Sequence, residues 1–114
     1  GTQGSEEEKA ESVVSYVVKN KKGDVVCIEE LYTYPSGVKI SMSVLLTDDE
    51  KVAIAIFPWL ENLSEFEKTG DVSYKFYADK NVGVATFFEG ENRVVLTVYT
   101  DDEKVFEKIV SKAK

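Results

Sequence analysis

Hydrophobic and polar residues alternate through most of the middle of the chain. Apolar side chains recur at every second position in residues 24–34 and again in residues 38–47, with the turn Pro35-Ser36-Gly37 between the two runs. This alternation predicts a hairpin of two strands that each turn one face toward a core. In the second strand, the side chains predicted to face the core are Val38, Ile40, Met42, Val44 and Leu46. Those predicted to face solvent are Lys39, Ser41 and Ser43.

Apolar residues at both ends of the chain have the spacing of amphipathic helices. Residues 6–20 predict an N-terminal helix, and Ser5 with Glu8 has the spacing of a capping box in front of it. Residues 101–112 predict a C-terminal helix, where Thr100 and Glu103 have the same spacing. The apolar stripe of the first helix contains Ala10, Val13, Val14 and Val17, and that of the last contains Val105, Phe106, Ile109, Val110 and Ala113.

The central part of the chain interrupts this series of hairpins. Residues 51–57 are apolar on both faces, which is typical of a central strand that is covered on both sides. Pro58 has no amide hydrogen to continue a strand ladder, so the strand is predicted to end there. Trp59, Leu63 and Phe66 then have the spacing of one face of a short helix.

Three more segments, at residues 72–78, 82–89 and 93–99, predict the remaining strands, with turns at residues 79–81 and 90–92 between them. Together the patterns predict an α+β fold: a mainly antiparallel six-stranded sheet or split β-barrel with an N-terminal helix, a short middle helix and a C-terminal helix. The length of 114 residues predicts one domain, which we place at residues 6–114. Residues 1–5 are interpreted as a polar tail or an expression remnant.

The pentapeptide Thr-Asp-Asp-Glu-Lys occurs twice, at residues 47–51 and 100–104. The residues after the first copy are apolar on both faces, as in a strand, whereas those after the second copy have helical spacing. The two copies are therefore predicted to serve different structures, and we interpret the repeat as a coincidence.

Composition excludes several classes of function. The formal net charge of −7 gives a surface that repels phosphate backbones, which argues against nucleic-acid binding. No apolar run approaches the ~20 residues of a membrane-spanning helix, so no membrane partner is expected. Cys27 is the single cysteine and cannot form an intramolecular disulfide, which favours a cytoplasmic protein.

Residues that commonly carry catalysis are scarce. The chain has no histidine, which removes the commonest general base and the commonest metal ligand. Cys27 lies in an alternating apolar strand and is predicted to be a buried structural thiol. The acidic pairs at residues 48–49 and 101–102 are explained by turns and helix caps, and Glu61, Glu65 and Glu67 by a solvated helix face. We therefore assign no catalytic and no metal-binding residue, and whether the protein is an enzyme is left open.

Aromatic residues are the remaining candidates for a binding surface, because several of them must point away from a helix-covered core. Tyrosine combines an apolar body with a polar tip and suits a half-wet surface. We weigh three roles for them: ordinary core packing, a self-association face, and a ligand pocket. The residues concerned are Tyr32, Tyr34, Tyr74, Tyr77, Phe87, Phe88 and Tyr99.

The predicted order of elements resembles the split-barrel flavin-binding domains of the pyridoxamine-phosphate-oxidase-like superfamily. The resemblance is carried by the strand pair CIEELYTY and VKISMSVLL, the strand KVAIAIF, and the Asn62-Leu63 of the short helix after it. It implies a homodimer that binds a small ligand between its subunits, with flavin mononucleotide (FMN) as the candidate cofactor. Members of that family hold the flavin phosphate with basic residues in this region, but residues 57–67 contain no Lys or Arg. No cofactor-binding residue is therefore assigned.

A non-catalytic protein-interaction module is the alternative hypothesis. A roadblock- or longin-like sandwich, or a pleckstrin-homology-like barrel, would also place helices against a sheet and would act as a platform for partners. Both hypotheses agree on the α+β class and on a protein without a nucleic-acid partner. They differ in whether the domain binds a small molecule or another protein.

Overall fold

A computed structural model of the chain describes residues 9–113, and they form one open antiparallel sheet with helices on both sides. The strands are β1 (Ser12–Lys19), β2 (Val25–Thr33), β3 (Lys39–Leu45), β4 (Glu67–Thr69), β5 (Val72–Tyr77), β6 (Val82–Glu89) and β7 (Asn92–Tyr99). The helices are α1 (Glu50–Ile56) and α2 (Glu103–Ala113), with 3-10 segments at Pro58–Glu65 and Ala78–Lys80.

The sheet is assembled from two meanders. Strands β1, β2 and β3 pair in sequence, and so do β4, β5, β6 and β7. Strand β7 pairs with β3, which joins the meanders in the order β1-β2-β3-β7-β6-β5-β4. Helix α1 and the first 3-10 segment connect β3 to β4. The two edge strands, β1 and β4, do not pair, so the sheet is open and the predicted split barrel is wrong. The predicted number of six strands is also wrong, because the sheet has seven.

Each side of the sheet has its own apolar cluster. On one side, Phe106 and Val110 of α2 pack on buried side chains of β5, β6 and β7, among them Val72, Ala85, Leu96 and Val98. On the other side, α1 and the first 3-10 segment pack on Cys27, Leu45 and Val95. We call these the α2 side and the α1 side.

The predicted N-terminal helix is wrong, because its described part forms strand β1. Four of the eight residues of β1 are valine, and β-branched side chains favour strands. The spacing Val13-Val14 and Val17-Val18 fits a helix, but it fits equally well a strand with apolar side chains on both faces. Pairing with β2 decides between the two structures. The predicted tail and the Ser5–Glu8 capping box lie outside the described residues.

The strand predicted for residues 51–57 is also wrong, because this segment is helix α1. Asp49 is its N-cap, and the Asp49 Oδ1 accepts a hydrogen bond from the Lys51 amide at 3.0 Å. A short apolar run fits a helix as well as a central strand, and periodicity alone cannot separate them. The central place beside β3 is taken by β7 instead.

The predicted short middle helix is a 3-10 segment, and it is followed by a strand that the sequence pattern did not predict. Strand β4 has only three residues, Glu67–Thr69, and lacks an apolar alternation. The predicted C-terminal helix and five predicted strands, the present β2, β3, β5, β6 and β7, are confirmed in type. The order of elements that carried the family resemblance differs from this structure, and the family itself stays a prediction.

Candidate functional site

The two acidic pairs are part of helix caps. Asp102 Oδ1 accepts a hydrogen bond from the Lys104 amide at 2.9 Å, and the Thr100 hydroxyl accepts one from the Asp102 amide at 3.1 Å. The first copy of the pentapeptide repeats this arrangement, with the Thr47 hydroxyl accepting from the Asp49 amide at 3.1 Å. Both copies therefore begin helices, which corrects the prediction that they serve different structures. Among residues 9–113, no cluster of acidic or cysteine side chains could hold a metal ion.

Cys27 is buried among apolar side chains, as predicted. Burial raises the pKa of its thiol, and the negative charge of Glu29 adds to the increase, while a hydrogen bond with Ser43 lowers the pKa. A buried and protonated thiol is a poor nucleophile. The side chain therefore belongs to the core.

The aromatic residues do not converge on one pocket. Tyr74 and Phe87 pack into the α2 side, where the rings of Tyr74 and Phe106 are 6.2 Å apart. Phe88 is exposed on the α1 side, and the Arg93 guanidinium lies over its ring at 4.3 Å. Tyr99 is exposed on the α1 side as well. Core packing therefore accounts for part of the set, and the remainder is divided between the two sides of the sheet.

A shallow pocket lies where α2 meets β4 and β5. Its volume is about 140 Å³ and its lining includes Tyr74, Glu107 and Val110. Ligand pockets usually measure roughly 300–1,000 Å³. This depression is too small for a flavin.

The burial pattern in the middle of β3 is the reverse of the predicted one. Ser41 and Ser43, which were predicted to face solvent, are 3% and 1% exposed. Met42, which was predicted to face the core, is 40% exposed. The apolar face of this strand is on the α2 side, because Met42 lies directly opposite Leu96, a member of the α2-side cluster. Helix α2 packs over β5, β6 and β7, and of β3 only Ile40 packs against that cluster.

The exposed apolar surface extends from β3 across β2 to β1. Met42 is joined there by Ile28, which is 40% exposed, and by Val13 and Val17, which are 50% and 56% exposed. These residues share one side of the sheet, since Val17 lies opposite Ile28 and Val13 lies opposite Tyr32. We call this surface the open face and define it by Val13, Val17, Ile28 and Met42.

A carboxylate lies in the middle of the open face. Glu30 is opposite Ser15 of β1 on one side and opposite Met42 of β3 on the other. The Tyr32 hydroxyl donates a hydrogen bond to the Glu30 Oε1 at 3.0 Å, and this hydrogen bond is the main cause of the raised pKa of Tyr32. The open face thus combines an apolar perimeter with one negatively charged acceptor at its centre.

Comparison with family models, with curated proteins and with solved structures gave no match to this chain. In the described part of the chain, no helix is both long enough and apolar enough to cross a membrane. Sequence reasoning missed the open face because it assumed that the apolar side of each strand is the covered side. The one sequence signal for the open face was the high density of valine in β1, which does not follow an alternating pattern.

Proposed function

We propose that the chain is a non-catalytic interaction module that binds a partner protein through the open face. The observation that supports this proposal is the exposure of Met42 and its neighbours on the side of β3 that the sequence pattern marks as apolar. Contiguous apolar patches on a protein surface commonly mark interaction sites. The lack of histidine in the chain and the burial of Cys27 leave catalysis without an evident general base or nucleophile.

The centre of the open face specifies the chemistry of the partner. A partner that covers the open face removes water from Glu30, and a desolvated carboxylate without a counter-charge is costly. A lysine or arginine of the partner that reaches Glu30 would offset this cost. The partner is therefore an apolar segment that carries a basic side chain near its middle.

The family resemblance implies two further partners, a second copy of the chain and a bound flavin. A homodimer is one form of protein association, and the edge of the sheet gives a separate argument for it below. FMN remains a prediction, and the depression between α2, β4 and β5 is too small to hold it. An absorbance spectrum of the purified protein tests it directly, because bound flavin is yellow.

Met42 makes the proposal testable, since it is the single methionine of the chain. A photoreactive methionine analogue would place a crosslinker on the open face and nowhere else in the sequence. In a native extract, we expect ultraviolet light to link Met42 to a defined protein at an apolar segment that contains Lys or Arg. The substitution Glu30→Gln should weaken this capture while leaving the fold intact.

The matched control moves the crosslinker to another exposed apolar position. In the double variant Met42→Leu, Phe88→Met, the photoreactive residue lies on the opposite side of the sheet, where Phe88 is exposed. Capture of the same protein from position 88, or no specific capture from position 42, would contradict the proposal.

A further inference from the structure

The edge of the sheet formed by β1 carries an inference that goes beyond the proposed function, which concerns the open face. We infer that β1 pairs with β1 of a second copy of the chain, antiparallel and centred on Ser15. The pairing would form a symmetric dimer with one continuous sheet. The argument uses the backbone of β1, its side chains, and its charges in turn.

Hydrogen bonds between β2 and β3 determine which backbone groups of β1 are directed outward. The Tyr34 amide donates to the Val38 carbonyl at 3.0 Å and the Leu46 amide donates to the Val26 carbonyl at 2.9 Å, so even-numbered residues of β2 bond to β3. In an antiparallel sheet, backbone groups point alternately to the two neighbours. Odd-numbered residues of β2 therefore bond to β1.

The same alternation applies to β1. Even-numbered residues of β1 lie opposite odd-numbered residues of β2 and bond to them, as the register shows for Val14 opposite Leu31. The amide and carbonyl groups of Val13, Ser15 and Val17 are therefore directed away from the sheet. They form a template onto which another strand can add.

A second β1 centred on Ser15 satisfies all of these groups. An antiparallel pair with Ser15 opposite its own copy places Val13 opposite Val17 of the second copy, and Val17 opposite Val13. Each of these is a pair of outward-directed residues, so amide and carbonyl groups meet in hydrogen-bonding positions. The contact has two-fold symmetry, as expected for a dimer of identical chains.

Side chains and charges select this register over its neighbours. The Ser15-centred register places Val14 opposite Tyr16, and brings Glu11, the residue before β1, close to Lys19 of the second copy. Shifting the centre to Tyr16 places Val13 opposite Lys19, and shifting it to Val14 places Val17 opposite Glu11. Apolar side chains that face each other, and opposite charges that face each other, stabilise an antiparallel pair. The Ser15-centred register provides both.

The other edge of the sheet lacks these features. Strand β4 has three residues, of which Glu67 and Lys68 are charged and exposed. Short and charged edge strands are a common protection against edge-to-edge association. Strand β1 has eight residues, its only charge is Lys19 at its end, and Val13, Val14, Tyr16 and Val17 are exposed. Protection is therefore present at one edge and missing at the other.

The dimer would double the open face. Both copies present their α2 sides in the same direction, because a two-fold axis perpendicular to a sheet preserves its two sides. Val13 and Val17 of each copy would meet at the junction, so the open faces of the two copies become one surface across both copies of β1, β2 and β3. A partner could then be twice as long as one that fits a single copy.

Disulfide trapping tests the register. In the variant Ser15→Cys, the two introduced cysteines would lie opposite each other, at a Cα separation near 5.5 Å that suits a disulfide. We expect mild oxidation to give a covalent dimer. The matched control is Ser12→Cys on the same strand, which lies opposite Val18 of the second copy and should not crosslink. Val13→Cys mixed with Val17→Cys should form only the mixed disulfide.

Association in solution tests the pairing without a crosslink. We expect the mass of the wild-type chain, measured by light scattering, to rise with concentration toward twice 12.8 kDa. The substitution Ser15→Pro removes an outward amide hydrogen but no bond to β2, and should raise the dissociation constant at least about tenfold. Circular dichroism would verify that this variant remains folded.

Charge exchange tests the ends of the strand. Glu11→Lys and Lys19→Glu should each weaken the dimer, and the double variant should restore it, with changes of about 2- to 30-fold because two exposed ion pairs are involved. Absence of any recovery in the double variant would overturn the proposed register.

Three further outcomes would overturn the inference. The first is a chain that stays monomeric at high concentration. This result would overturn the inference even if the Val13 and Val17 amides were protected from hydrogen exchange by another segment of the same chain. Equal crosslinking of Ser12→Cys and Ser15→Cys also does so. Finally, a dimer that survives Ser15→Pro but is lost in Met42→Lys would show association through the open face, and the proposed function would then stand without the edge pairing.

Discussion

The α2 side of the sheet has two halves that differ in what covers them. Over β5, β6 and β7, helix α2 packs its Phe106 and Val110 onto buried side chains. Over β1, β2 and β3, the same side of the sheet presents the open face. Both halves are rich in valine, isoleucine, leucine and aromatic residues. The difference teaches that an apolar strand face predicts burial, but does not say whether a helix of the same chain or another molecule covers that face.

Phe106 provides the largest expected effect on the covered half. Its side chain is fully buried between the sheet and α2, so Phe106→Ala should lower the free energy of unfolding by about 3–5 kcal/mol. The matched change on the open half is Met42→Ala, which should cost less than about 1 kcal/mol because the side chain is already partly in water. Equilibrium urea denaturation measures both changes. Similar costs at the two positions would contradict the division into a covered and an open half.

Trp59 extends the comparison to the cover on the α1 side. Its ring is stacked on Phe66 with centroids 5.5 Å apart, and it packs on the cluster of Cys27, Leu45 and Val95. Because the residue is only partly buried, Trp59→Ala should cost about 3 kcal/mol, the low end of the range for large aromatic residues. Loss of tryptophan fluorescence makes circular dichroism the suitable probe for this variant. An effect within experimental error would mean that the 3-10 segment does not contribute to the core.

Gly83 sharpens the comparison by adding volume under α2 instead of removing it. A Cβ at this position would lie closer than 3.0 Å to three atoms of the Phe106 ring. We expect Gly83→Ala to destabilise the protein by about 1–3 kcal/mol, because overpacking forces the ring or the helix to shift. In the background Phe106→Leu the added methyl group should cost less, which is a non-additivity that a double-mutant cycle measures. Simple additivity would show that the ring and the glycine are not in contact.

Alkaline pH gives the smallest expected effect, and it probes the α1-side core. The folded-state pKa of Cys27 is raised above its ordinary value of 9.0, mainly by burial. The stability that this shift contributes is fully present below pH 9 and is lost as the pH rises through the folded-state pKa. Urea midpoints should therefore fall from pH 8 to pH 10, and less so in Cys27→Ala. The Cys27→Ala variant should keep part of the decrease in stability with pH, since burial also raises the pKa values of Tyr77 and Tyr99.

Sequence patterns predicted those elements whose local signals agree with each other. Strands β6 and β7 have eight residues each and are joined by a turn that contains Gly90, and α2 has both an apolar stripe and a capping aspartate, Asp102. Strand β1 and helix α1 could not be assigned in this way. Their apolar residues fit either period, and the choice between strand and helix depends on which neighbour in the sheet is available.

The open face could not be predicted for a different reason. Alternation along β3 correctly separates Met42 from Ser41 and Ser43, but it cannot say which of the two sides the rest of the chain will cover. That depends on the path of α1, which was itself wrongly predicted as a strand. Cys27 was predicted correctly because its side of β2 is the one that α1 and the first 3-10 segment cover.

The path of α1 depends on the number of residues between β3 and its capping motif. Leu45 and Val98 each lie two residues before the threonine of the repeated pentapeptide, and both are buried, but on opposite sides of the sheet. Met42 and Leu96 are opposite each other and share the α2 side. Leu45 is three residues after Met42, an odd number, and so points to the α1 side. Val98 is two residues after Leu96, an even number, and so stays on the α2 side. Identical helix starts are thereby sent to opposite sides. In evolutionary terms, gain or loss of a single codon before Thr47 is the shortest route between a sheet with an open face and one that covers itself.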